Sequence, residues 1–104
     1  MNNILELASK VLAEGISGRY VHGQNISFGL INIEQGSILG LHHHPHEQIT
    51  YMLEGEMEME IGGNKILLKK GNYYVIPSNV PHSAIAFSKC TVIDVFSPVR
   101  EEYR

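Results

Sequence analysis

The chain has 104 residues, enough for one domain but not for a second domain or a large lid. A formal net charge of −3, with only eight Lys and Arg scattered along the chain, offers no basic patch for nucleic acid. No apolar run approaches the ~20 residues that a helix needs to span a bilayer, the start MNNILELASK lacks the basic and long apolar regions of a secretory leader, and the single cysteine, Cys90, excludes an internal disulfide. A cytoplasmic location is therefore the expectation. Cys90 follows Lys89 in an expected turn and reads as a spare thiol.

Residues 3–14 carry Ile4, Leu5, Leu7, Ala8, Val11 and Leu12 at helical spacing. This pattern predicts a short amphipathic helix, capped by Asn2 or Asn3 and ended by Gly15. Residues 1–15 are thus expected to form an N-terminal helical segment, and residues 16–104 a single domain. From residue 16 the pattern changes to short strands and turns. Strands are expected over 26–33, 48–53, 56–61, 65–68, 73–76, 83–87 and 91–96. In 56–61, Met57, Met59 and Ile61 alternate with Glu56, Glu58 and Glu60, as in a half-buried strand with a solvated acidic face. Gly62-Gly63-Asn64 and Lys69-Lys70-Gly71-Asn72 are turns. Pro77-Ser78-Asn79-Val80-Pro81 is a loop constrained by its two prolines. Many short strands with little helix predict an all-β sandwich or barrel.

Four of the six histidines fall within His42-His43-His44-Pro45-His46. Alternate strand residues share a face, so His42 and His44 can aim two nitrogens at one point. His46 or Gln48 continues that face, and a barrel can bring His82 to it from a distant strand. Imidazole is the commonest ligand of divalent transition metals, so the pattern points to a metal site.

The spacings follow a known grammar. Gly36 is followed after five residues by His42, after one by His44, after three by Gln48 and after six by Gly55. Gly71 is followed after five residues by Pro77, after one by Asn79 and after two by His82. These two segments resemble the paired motifs of the cupin superfamily, which implies a small jelly-roll β-barrel over roughly residues 25–97. Gln48 stands where those motifs usually have Glu, Asn79 where they have Gly, and Ala86 where Asn is frequent. Asn is the next-best residue for a left-handed turn. The resemblance implies one divalent metal (Zn, Ni, Mn, Fe or Co) held by His42, His44, Gln48 and His82, with His43 and His46 around it. Neutral Gln48 leaves the full charge of about +2 on the cation, which favours an anionic ligand and Lewis-acid chemistry over oxidation.

His44-Pro45-His46-Glu47-Gln48, followed by Ile49-Thr50-Tyr51, and the stretch Val92-Ile93-Asp94-Val95-Phe96-Ser97-Pro98-Val99-Arg100-Glu101 are similar to the small pectin-degradation (KdgF-like) cupins. That resemblance implies ring opening and ketonisation of 4,5-unsaturated uronates, with Asp94, Phe96 and Arg100 as site residues. The residues themselves are compatible with this. Alternation puts Val92, Asp94 and Phe96 on one face. If that face is the interior, Asp94 is a buried carboxyl able to carry a proton; otherwise it faces solvent or pairs with Arg100. Arg100 is either a clamp for a substrate carboxylate or a solvated tail residue. Phe96 is core or a wall for the sugar. Tyr51 and Tyr73 read as packing residues, and Arg19, Tyr20 and Gln24 as residues that can border the pocket. An oxygen-using, dioxygenase-type cupin and a non-catalytic sugar-binding cupin are the alternatives. A short domain gains core by pairing, so a homodimer acting on a small anionic carbohydrate, with no nucleic-acid or membrane partner, is expected.

Overall fold

In the computed structural model, which describes residues 2–104, the chain forms ten strands. They are β1 Lys10–Ala13, β2 Ile16–His22, β3 Ser27–Ile33, β4 Ile38–His42, β5 Glu47–Glu54, β6 Met57–Ile61, β7 Asn64–Leu68, β8 Tyr73–Ile76, β9 His82–Ala86 and β10 Cys90–Ser97. One sheet has six strands in the order β1-β2-β3-β10-β5-β8, and the other has four in the order β4-β9-β6-β7. The pairings are antiparallel, and most join strands distant in sequence. This is the all-β barrel that the alternation predicts.

The interior follows the two-residue period of the strands. In β5, Gln48, Thr50 and Met52 are buried while Ile49 and Tyr51 are exposed. In β6, Met57, Met59 and Ile61 point inward and the glutamates Glu58 and Glu60 keep partial contact with water, as expected. Met52, Ile76 and Val92 are essentially inaccessible and form the centre of the core. The Cys90 thiol is also fully buried and donates to the Glu56 carbonyl at 3.3 Å, so it is a packed core residue rather than a loose turn thiol.

Residues 3–14 depart from the expected amphipathic helix. Only Ile4–Glu6 form a single 3-10 turn, with Asn3 Oδ1 accepting from the Leu5 N–H at 2.9 Å. Lys10–Ala13 instead become β1, pairing Lys10 with Gly18 and Val11 with Ser17. A helix of twelve residues is marginal in water unless its apolar stripe is buried. Here Leu5, Leu7 and Val11 stay exposed while Leu12 turns in against the core, so no one surface covers the stripe. The free edge of β2 offers backbone partners to residues 10–13, and this interaction wins. Gly15, expected to end the helix, takes φ +76° in the β1–β2 turn. Two further strands escaped the sequence pattern. β2 carries Ser17, Gly18 and Arg19, which blur its alternation, and β4 is largely exposed and interrupted by a bulge between Leu39 and His42.

Two glycines of the six-stranded sheet make room for one aromatic ring. A Cβ on Gly29 would lie 2.6 Å from Tyr20 Cε1, and one on Gly18 3.0 Å from Tyr20 Cε2. Tyr20 therefore lies flat against the sheet and lines the interior cavity.

Candidate metal centre

Register brings the histidines together. β4 pairs with β9 so that His42 stands opposite His82. His44 lies beyond β4, in the loop leading to β5, and is positioned by the loop between β8 and β9. The Asn79 backbone N–H donates to the His44 carbonyl at 2.8 Å, and the Ser78 hydroxyl donates to the Pro45 carbonyl. Asn79 adopts the left-handed conformation, φ +62°, for which its residue type was noted. One potential ligand atom from each of His42, His44 and His82 lies within 4.8 Å of the others. The ring of His82 is 4.2 Å from that of His42 and 4.9 Å from that of His44, centroid to centroid.

The hydrogen bonds assign the ring nitrogens. Each Nδ1 faces a backbone carbonyl: His42 that of Gly40 at 2.8 Å, His44 that of His46 at 3.0 Å, and His82 that of Val80 at 2.9 Å. A carbonyl only accepts, so each Nδ1 carries the hydrogen and each Nε2 keeps a lone pair for a metal. His82 Nε2 is buried and has no partner among the described residues. His44 Nε2 faces Gln48 Oε1 at 3.0 Å. Gln48 Nε2 donates to the Thr50 hydroxyl at 2.9 Å, which donates to Asp94 Oδ1 at 2.8 Å. That chain fixes the amide with its oxygen towards His44. Two acceptors thus meet without a hydrogen between them, and a third is orphaned. Burial depresses the proton affinity of His44 and takes that of His82 down to about 4, so protonation does not supply the missing hydrogens near neutral pH. A divalent cation satisfies these lone pairs at once. The donor set of three imidazoles and one amide oxygen fits such a metal.

A cavity of about 60 Å³ lies beside this cluster. His42, Gln48, Thr50, His82, Asp94 and Arg100 form its polar wall, and Met57, Met59, Ala84 and Val92 its apolar wall. Asp94 therefore lines the interior cavity and is half-buried. Burial raises its carboxyl to about 6, against the lowering effects of hydrogen bonds from Thr50 and Gln48 and of the Arg100 charge. Arg100 is 7% exposed, so it is no solvated tail residue. Its guanidinium lies between the Phe96 ring, 4.7 Å away, and the Tyr103 ring, 4.3 Å away, while its Nε donates to Glu102. Phe96 is both core and cavity wall.

The other histidines of the cluster separate clearly. His43 is exposed. His46 is buried against His44, ring centroids 5.5 Å apart, but lies outside the three-histidine group, with Nε2 on the Val99 carbonyl at 3.2 Å and Nδ1 without a partner among the described residues. Tyr51 and Tyr73 lie on the outer face of the sheet. Of the three residues read as pocket borders, Tyr20 lines the cavity and Arg19 and Gln24 do not. Thr50, the link between Gln48 and Asp94, was missed, although its place two residues after Gln48 on the same strand face was available as a signal.

Comparison with known proteins agrees with this architecture. Residues 29–96 match the Cupin domain family. The pectin degradation protein KdgF of Dickeya dadantii (strain 3937) is 30% identical over 95 residues, covering 88% of this chain and 86% of that protein. The L-ectoine synthase of Marinomonas sp. (strain MWYL1) is 31% identical over 74 residues, covering 69% of this chain and 57% of that protein. Among solved structures, KdgF from Halomonas sp. superposes with a TM-score of 0.90 at 29% identity, over 96% of this chain and 94% of that one. An RmlC-like cupin from Shewanella frigidimarina NCIMB 400 gives 0.93 at 24% identity, over 99% and 94%, a likeness of fold. With its two-sheet barrel and its histidine cluster at the motif positions, the chain belongs to the cupin family, as a small single-domain cupin similar to KdgF.

Proposed function

We propose that the protein is a metal-dependent cupin that acts on a small anionic sugar, opening and ketonising 4,5-unsaturated uronates from polysaccharide (pectin or alginate) breakdown. The observation that carries this reading is the hydrogen-bonded chain from Gln48 through Thr50 to Asp94, which starts where Gln48 Oε1 faces the His44 Nε2 lone pair and ends on the same cavity wall as Arg100. The similarity to KdgF supports it.

His42, His44, Gln48 and His82 would hold the metal, which when bound supplies Lewis acidity without redox change. Arg100 engages Glu102 through Nε, and its two Nη groups remain to grip the substrate carboxylate in a paired, planar contact. Phe96 and Tyr103 flank that guanidinium and keep water from it. Asp94, with a carboxyl near 6, takes the proton of the anomeric hydroxyl. The C1–O5 bond breaks as the C1 carbonyl forms, and its electron pair goes to the ring oxygen and the attached C4–C5 double bond. Asp94 then returns the same proton to C4, leaving a ketone at C5. One proton moves and none is consumed. The test is loss of the C=C ultraviolet absorbance of an unsaturated uronate. Metal-loaded protein is expected to accelerate it, with Zn as effective as a redox-active ion and with no oxygen consumed. No gain over the spontaneous rate rejects the reading, and dependence on oxygen moves it to the dioxygenase class.

We also propose that two copies pair through the outer face of the six-stranded sheet. Val21, Phe28, Val95, Ile49 and Val75 lie side by side on consecutive strands, and Leu30, Ile93, Tyr51 and Tyr73 form a second such row. Strand spacing makes this apolar face roughly 20 Å wide. A monomer rarely leaves so broad an apolar face to water. A stable dimer needs about 800 Å² per partner, which a face of this breadth and its rim can provide.

A further inference from the structure

After β10 the chain turns back against the barrel, and side chains from three separate elements converge on its backbone. His22 on β2 directs Nε2 at the Tyr103 carbonyl, 3.0 Å away. The carbonyl only accepts, so Nε2 carries the hydrogen and Nδ1 accepts from the Ser27 hydroxyl at 2.8 Å. The Ser27 oxygen, on β3, accepts the Arg100 backbone N–H at 2.8 Å. His46, ahead of β5, bonds the Val99 carbonyl at 3.2 Å. The turn is thus tied at Val99, Arg100 and Tyr103 by hydrogen bonds to its main chain.

This arrangement leaves the side chains of Arg100 and Tyr103 directed at the cavity. They complete a stack in which Arg100 lies between Phe96 and Tyr103, and Tyr103 lies on Tyr20 with ring centroids 4.6 Å apart. Ser27 is wholly buried and His46 is 8% exposed. Burying a hydroxyl and imidazoles costs free energy that apolar residues of the same size would avoid, unless each is bonded. Here the Ser27 oxygen accepts from the Arg100 amide and the His46 and His22 Nε2 atoms reach the Val99 and Tyr103 carbonyls, while His46 Nδ1 has no partner among the described residues. Without them, a terminal segment whose only regular structure is the 3-10 turn Glu101–Tyr103 would fray.

We infer that His22 and Ser27, together with His46, are positioning residues that lock the turn Val99–Tyr103 and so hold Arg100 and Tyr103 in the cavity wall. They touch no substrate and act through Arg100. The consequence for activity rests on the proposed carboxylate grip. A mobile Arg100 must be ordered when ligand binds, which weakens binding and leaves the chemical step alone.

The test compares amide hydrogen exchange in the full chain with that in Ser27→Ala and His22→Gln, alongside steady-state turnover of the unsaturated uronate. Exchange of the Arg100 amide and its neighbours in 99–103 is expected to accelerate about tenfold in Ser27→Ala, the effect of one lost buried hydrogen bond, with the strands unchanged. KM is expected to rise about tenfold while kcat stays within about twofold, and Ser27→Thr is expected to restore both. Unchanged tail exchange in both variants overturns the inference. So does acceleration spread over the whole barrel, which marks general packing. If the wild-type protein does not turn over the uronate, the functional reading fails, and the exchange measurement still decides the lock.

Discussion

Asp94 sits at the end of a hydrogen-bond chain that starts at Gln48, beside the histidine cluster, and this ties its proton to the candidate site. Its folded value of about 6 lies above the ordinary 3.8. The folded protein therefore keeps the proton to higher pH than the unfolded chain does. The stability this gives is fully present below about pH 3.8 and is lost as pH rises through about 6, by an order of 2–3 kcal/mol in the metal-free protein. Asp94→Asn is expected to remove that slope in urea melts taken across pH 4–7, and to lower kcat by about 10²–10⁴-fold. The activity of the wild type is expected to rise with pH to a midpoint at or below about 6, because a bound cation pulls the carboxyl lower. A midpoint well above 6 would contradict Asp94 as the base. At this scale His42 and His44 were legible as a pair from their spacing, while Gln48 and His82 were joined to them by the resemblance to the two cupin motifs. The inward direction of Asp94 was half legible: alternation grouped it with Val92 and Phe96 but could not say which face was inside. Ser27 and His22 carry no sequence signal at all, since their partners are backbone atoms of a distant turn.

Elements here are decided by what lies across from them. The helical spacing of residues 3–14 was real, yet a strand formed at 10–13 because the β2 edge offered hydrogen bonds and the core offered burial to Leu12 and Ala13 but not to Leu5, Leu7 and Val11. β5, β6 and β10 were readable because one face is packed and the other solvated, which prints a two-residue period on the sequence. β2 hides its period behind Ser17, Gly18 and Arg19, whereas β3 stays readable despite Gly29; the missing side chains of Gly18 and Gly29 are filled by Tyr20 from the same sheet. Gly29→Ala is expected to push the Tyr20 ring off its seat and destabilise the fold by about 1–3 kcal/mol in urea melts. In a Tyr20→Ala background the same substitution should cost much less, since the atoms it meets within 3 Å belong to that ring. An equal cost in both backgrounds would rule out the seat.

At the scale of the molecule, the candidate metal site joins the sheets, since Gln48 belongs to the six-stranded sheet and His42 and His82 to the four-stranded one. Binding should therefore stabilise the whole barrel. Zn²⁺ or Ni²⁺ at about 100 times its Kd is expected to add about 2.7 kcal/mol, a rise in Tm of roughly 10–20 °C for a domain of this size. A chelator should reverse the rise and His82→Ala should abolish it. Light scattering is expected to return twice the chain mass, and Val95→Asp or Ile49→Lys on the outer apolar row should return the single-chain mass; a monomeric wild type removes the proposed pairing.

The sequence by itself determined the fold class, because strand alternation is local and survives in one dimension, and its resemblance to the cupins named His42, His44, Gln48 and His82 as candidate ligands. Only the tertiary structure decided that His82 meets His42, that Asp94 and Arg100 share a cavity, and that the tail is tied down at its backbone. Those facts depend on which strands pair and in what register, and pairing is settled by burial and hydrogen bonding between segments far apart in the chain.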